Sequence, residues 1–153
     1  MTPTRDNYAL TSAGIAEGTN ANTIQNTLPV TAVIEGRTVY KAATDNIAFA
    51  AHTGTSFTAL AALQTCAFFH MMSPAGAITQ IQSAIRPSSA AASYAPGVWE
   101  WPAREGFACI GATVIRTDGA ATFTAGSTDL GATNVVDTHL NAVASVHSTP
   151  ITY

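Results

Sequence analysis

The chain has 153 residues, a formal charge of −3, and only 10 % charged residues against 47 % hydrophobic ones. Globular proteins carry about a quarter charged residues, so this surface must be clothed in Thr, Ser, Asn and Gln or covered by other subunits, which fits a protein that lives in an assembly. Its six cations, Arg5, Arg37, Lys41, Arg86, Arg104 and Arg116, are scattered, which argues against a phosphate-tracking surface and so against a nucleic-acid partner.

The N-terminal sequence MTPTRDNYAL has no apolar core of a secretory signal. Residues 1–29 show little periodicity, with isolated Leu10, Ile15, Ile24 and Leu28 among Thr, Asn and Ala. The reading is an extended N-terminal arm that orders against a neighbour, with a disordered tail as the competing reading. A helix over 8–16 is limited by its glycines.

Residues 30–34 and 37–42 are β-rich and flank Glu35-Gly36, which predicts a hairpin. A turn at 44–46, a short strand over 47–51 and a loop at 52–55 follow. Residues 57–63 fit either a helical face or a strand. The longest apolar stretch, 57–72, is interrupted by Thr58, Gln64, Thr65 and His70. It predicts no transmembrane helix and no membrane partner. Within it, 66–72 is apolar on both faces, which predicts a central strand. Ser73-Pro74-Ala75-Gly76 is a turn, and 77–85 returns as a strand with Thr79, Ile81, Ser83 and Ile85 on one side and Gln80 and Gln82 on the other. Residues 86–96 read as a loop. Residues 107–116 form a long apolar, β-branched run, and Asp118-Gly119 predicts a hairpin back into 121–125. After a second turn at 127–131, residues 135–140 form a further strand. Residues 141–153 read as a last strand or a tail.

The sum is roughly eight to ten short strands with regularly spaced turns. The predicted fold is all-β, an antiparallel β-sandwich or jelly-roll-like barrel over residues 30–153, preceded by an extended arm over 1–29. Two cysteines, Cys66 and Cys109, make no disulfide framework. Both lie in apolar runs and read as buried free thiols.

No nucleotide-binding, P-loop or nucleophile-elbow motif is present. The histidines His52, His70, His139 and His147 lack metal-binding spacing, and His70 reads as a hydrogen-bonded core residue. Glu100 and Glu105 are a carboxylate pair in a loop, which a glycosidase would use but which also arises by accident. Trp99 and Trp101 point the same way on an extended chain, with Tyr94 nearby. They suit packing or a subunit interface better than stacking on a sugar ring. No catalytic, metal-binding or cofactor-binding residue is predicted, and the chain does not read as an enzyme.

Residues 30–49, VTAVIEGRTVYKAATDNIAF, resemble a pattern in small virion proteins of tailed bacteriophages. Later pieces agree in order: the aromatic strand 67–71, the Pro-Ala-Gly turn, the Gln-rich strand to Ile85, Tyr94-x-Pro-Gly, Trp99-Glu100-Trp101-Pro102, and Gly111-Ala112 followed by 121–124 and 126–128. The similarity covers most of residues 30–137 and lies in turn chemistry and spacing. It implies a head decoration (cement) protein or head-fibre base: a β-sandwich, usually a homotrimer, on the outer capsid surface of a virion assembled in the host cytoplasm. Its partners would be the major capsid protein, whose subunits it bridges, and further copies of itself. The family offers no motif of functional residues. From the residues themselves, the expected contacts are Tyr8, Leu10 and Ile15 on the arm, then the loop bearing Trp99 and Trp101. The alternative is a head-fibre or tail-associated module that binds a glycan or receptor through Tyr94, Trp99 and Trp101.

Overall fold

The computed structural model describes residues 7–88 and 100–143. Among them there is no helix, and all strand pairing within the sheets is antiparallel. The strands are β1 (Tyr8–Ala9), β2 (Ile15–Glu17), β3 (Ile24–Asn26), β4 (Val30–Ile34), β5 (Arg37–Lys41), β6 (Thr44–Ile47), β7 (Gln64–Met72), β8 (Ile78–Gln82), β9 (Arg86–Pro87), β10 (Ala108–Thr117) and β11 (Val135–Asn141). They make three sheets: β1-β4-β5, β2-β3-β6, and a five-stranded sheet ordered β11-β10-β7-β8 with β9 on the end of β7. The fold is a β-sandwich. The barrel alternative does not hold, because the sheets do not close on one another.

The five-stranded sheet organises the rest. β7 is buried from Thr65 to Met72, and β10 is buried along most of its length, as continuous apolar runs must be when both faces are covered. One face carries Cys66, Phe68 and Met72 of β7 with Ala108 and Ile115 of β10. The two small sheets cover it. Ala9, Ile15, Val30, Ala32 and Ile34 pack with Met72, Ile78 and Ile110, while Ile24, Leu60, Phe123 and Leu130 pack with Cys66, Phe68 and Ile115. On the opposite face Ala67, Phe69, Met71, Ala112 and Val114 gather with Ile81 and Phe107.

The hairpin at Glu35-Gly36 forms as the sequence indicates. Ile34 pairs with Arg37 across a two-residue loop, with φ of 51° and 75° at Glu35 and Gly36. Two successive positive φ values give the turn whose twist matches its strands. The central strand also forms, as Gln64–Met72.

Four expectations are corrected. First, the arm is not an arm from Tyr8 onward: β1 pairs with β4, β3 pairs with both β2 and β6, and Ala13, Ile15 and Ile24 are buried. Strands of two or three residues bury one or two side chains each, which leaves no readable period. Residues 1–6 lie outside the described residues. Second, β10 does not turn back at Asp118-Gly119 into 121–125. Its neighbour is β11, and the backbone of Phe123 forms an isolated bridge to Leu60, through paired bonds of 2.8 and 3.0 Å. Alternation around one phenylalanine is satisfied by a single buried anchor as well as by a strand. Third, 44–46 is strand rather than turn, and of 48–51 only Ala51 bridges, in parallel, to Gln80. Fourth, the strand expected over 77–85 is confined to Ile78–Gln82; Gln80 on it is buried at 1 % exposure, its amide oxygen accepting the Ala50 N–H at 2.6 Å.

Candidate functional site

Alternation in β1, β4 and β5 decides what their sheet shows to solvent. Ala9, Val30, Ala32 and Ile34 point into the core. The residues between them point out, so Tyr8, Val33 and Thr38 stand in one cross-strand row. Leu10, whose N–H donates to Thr31 O at 2.8 Å, stands beside Thr31 and Tyr40 in the next. Tyr8 is 38 %, Leu10 43 % and Tyr40 65 % exposed. The result is an uncharged outer face with two phenols and an isobutyl group held by main-chain pairing. Aromatic side chains placed this way offer large contact area at small entropic cost.

This face contains Tyr8 and Leu10 of the predicted contact set, and Tyr40 in addition. Tyr40 was legible from the alternation of 37–41, since Val39 faces inward and its neighbours outward. Ile15 does not belong to the face. It is buried, its N–H donates to Asn141 Oδ1 at 2.9 Å, and it packs on Gly111. That correction follows from the strand β2, which turns Ile15 into the sandwich. Trp99 and Tyr94 lie outside the described residues. Trp101 is 42 % exposed and meets the Phe69 ring edge-on at 5.5 Å. Asn7 joins the two regions the sequence pointed to: its Nδ2 donates to Arg104 O at 3.1 Å, and its Oδ1 accepts from Glu35 N at 2.7 Å.

A second feature lies within the large sheet. His70 is fully buried, and its Nε2 lies 2.9 Å from Thr113 Oγ1, which lies 3.0 Å from His139 Nδ1. His139 Nε2 is 2.7 Å from Asp137 Oδ2, at an angle poor for a hydrogen bond. Burial pushes the His70 imidazole down to about 3, with the nearby His139 adding to the effect. His70 is therefore neutral and carries one ring proton. A consistent arrangement has His70 Nε2–H donate to Thr113 and the Thr113 hydroxyl donate to His139. Among the described residues, His70 Nδ1 and the Nε2 of Gln80, its cross-strand neighbour, have no hydrogen-bond partner. Hydroxyl, imidazole and carboxylate in sequence resemble a nucleophile relay. Thr113, however, is 0 % exposed and engaged on both sides, so no substrate reaches it. The chain of groups braces β7, β10 and β11.

A cleft of about 270 Å³ opens beside β8, lined by His52, Thr55, Phe57, Gln80, Gln82 and Arg104 among others. Its groups are mostly taken up by the fold. His52 Nδ1 lies 2.9 Å from Thr79 Oγ1, and the Gln82 amide accepts from Thr58 N and donates to Thr58 O. Among the described residues its lining contains no carboxylate. Glu100 and Glu105 are both exposed. Among the described residues no three of His, Cys, Asp and Glu converge as metal ligands would. Cys66 and Cys109 are free thiols, each pushed up to about 12 by burial. No helix of the described residues is long and apolar enough to cross a membrane.

No protein-family model, no curated protein and no solved structure matches the chain.

Proposed function

We propose that the protein is a structural virion component of a tailed bacteriophage. It decorates the outer capsid surface and stabilises the shell by bridging major capsid protein subunits. The outer face of β1-β4-β5 carries this reading: an uncharged surface with Tyr8, Leu10 and Tyr40 exposed. It suits a lattice partner bound by many weak contacts summed over symmetric copies. The low charge of the whole chain, with one lysine among 153 residues, supports the same reading, as does the resemblance over residues 30–137. Bridging requires no bond-making chemistry and no cofactor.

A second reading, a head-fibre or tail-associated module that binds a glycan, is favoured by one observation. Trp101 is an exposed indole steadied by Phe69, the kind of platform on which a sugar ring stacks.

Copy number separates the two. Quantitative mass spectrometry of purified particles of the encoding virus, normalised to the major capsid protein, should give several hundred copies for a lattice-wide decoration protein. A few to a few dozen copies would favour the fibre reading, and absence from the particle would overturn both. In the decoration case, Tyr40→Ala combined with Leu10→Ala should weaken binding to capsids that lack the protein, while thermal stability stays within about 0.5 kcal/mol per substitution.

A further inference from the structure

β11 ends the five-stranded sheet, and among the described residues no strand pairs with its outer edge. Its bonds to β10 fix which groups face outward. Ala142 N donates to Ile110 O at 3.2 Å, and Asn134 O accepts from Asp118 N at 2.8 Å. In an antiparallel ladder the N–H and C=O of one residue point to the same side. The even-numbered residues therefore face β10, and Val135, Asp137, His139 and Asn141 turn their main-chain groups away from it. At the start of the strand the Val135 N–H is already taken by Ala132 O at 2.9 Å; from Asp137 to Asn141 the edge is bare among the described residues, and such an edge is a template for another strand.

Two other edges differ: β8, at the far side of the same sheet, is bridged at Gln80 by Ala51, and β5 is guarded by charge. β5 carries Arg37 and Lys41 at its two ends, the kind of charge that discourages edge pairing. β11 has no Lys, Arg or Pro; its titratable residues are Asp137 and His139. They flank Thr138 symmetrically, and so do Val136 and Leu140.

That symmetry selects one partner and one register. Antiparallel pairing of two copies about a two-fold axis at Thr138 sets Asp137 opposite His139 of the second copy, and His139 opposite its Asp137. These are the residues whose main-chain groups face outward, so the same two pairs exchange the backbone bonds. On the other face, Val136 and Leu140, 37 % and 38 % exposed, become cross-strand neighbours and cover one another. Moving the axis to Asp137 or His139 sets like residues opposite each other, as does parallel in-register pairing, and like charges directly opposite are destabilising.

We propose that two copies of this chain associate through β11, antiparallel about Thr138, so that their two large sheets become one. The contact stands apart from the capsid reading, and also from the three-fold association that the resemblance implies.

The test uses the full chain. Facing residues in a non-hydrogen-bonded antiparallel pair have Cα atoms about 4.5 Å apart, inside the disulfide range of about 4.4–6.8 Å. Thr138→Cys should therefore form a covalent dimer under mild oxidation on a non-reducing gel. Val136→Cys alone should not, because it faces position 140. Mixed with Leu140→Cys, it should. Wild type, which carries Cys66 and Cys109, is the baseline. In sedimentation equilibrium, wild type should be a dimer and Leu140→Lys should dissociate at least about tenfold more readily. A monomeric wild type would mean that something within the chain covers the edge, and would overturn the proposal. So would a trimer in which T138C does not cross-link, or a V136C variant that cross-links by itself as readily as T138C.

Discussion

Acidification should act on one side chain in particular. His70 sits on the central strand with no exposed surface, and its imidazole is pushed down from an ordinary value of 6.5 to about 3 by burial, with His139 nearby. The folded value lies below the unfolded one, so folding favours neutral His70. The stability this contributes is fully present above about pH 6.5, falls as pH drops below that value, and stops falling once pH passes about 3. A gap of about 3.5 units sets a ceiling of about 5 kcal/mol, of which about 2 kcal/mol is lost between pH 7 and pH 5. That is a large part of a domain's usual margin of about 5–15 kcal/mol. The assay is urea unfolding of wild type and His70→Gln at pH 7, 6 and 5, followed by circular dichroism. Gln cannot titrate and retains a donor for Thr113. Other groups titrate in both proteins: Asp45, for example, has its carboxyl held below the ordinary value by hydrogen bonds from Thr19. The stability difference between the two proteins should therefore move by about 2 kcal/mol in favour of the variant between pH 7 and pH 5. Two curves that stay parallel over that range would show that His70 is not a buried neutral imidazole.

Gly111→Ala should destabilise the sandwich by about 1–3 kcal/mol, read as a lower urea midpoint at unchanged slope. An added Cβ would lie 2.5 Å from Leu140 O and 2.7 Å from Ile15 Cγ1, and the backbone oxygen cannot move without disturbing the β10–β11 ladder; an unchanged or raised midpoint would contradict this packing. Cys66 and Cys109, both pushed up to about 12 by burial, should resist a thiol-disulfide reagent at pH 8 in the native protein and react at once in guanidinium, since the thiolate is the reactive form. Fast modification of both under native conditions would refute their placement.

Several elements were readable because their signals are local. Two residues at positive φ set the Glu35-Gly36 hairpin, and an apolar run with no polar side marked β7 as central. Alternation in 37–41 is enough to turn Tyr40 outward once the strand is accepted, and Tyr8 and Leu10 follow the same rule in a shorter element. Local signals fail where a residue is satisfied from a distance. Gln80 looks like a surface residue until Ala50 arrives to donate to it. Phe123 looks like part of a strand until Leu60 meets it as an isolated pair.

By itself, then, the sequence determined the all-β class, most of the strands and the lack of surface charge, because side-chain period and composition act through nearest neighbours. The tertiary structure alone decided that the N-terminal segment from Tyr8 belongs to the sandwich, and that β10 lies between β7 and β11. It also decided that Ile15 is core while Leu10 is surface. Each of these depends on which strand lies alongside, at sequence separations where no periodicity carries information, and a one-residue change of register would reverse which face every side chain joins.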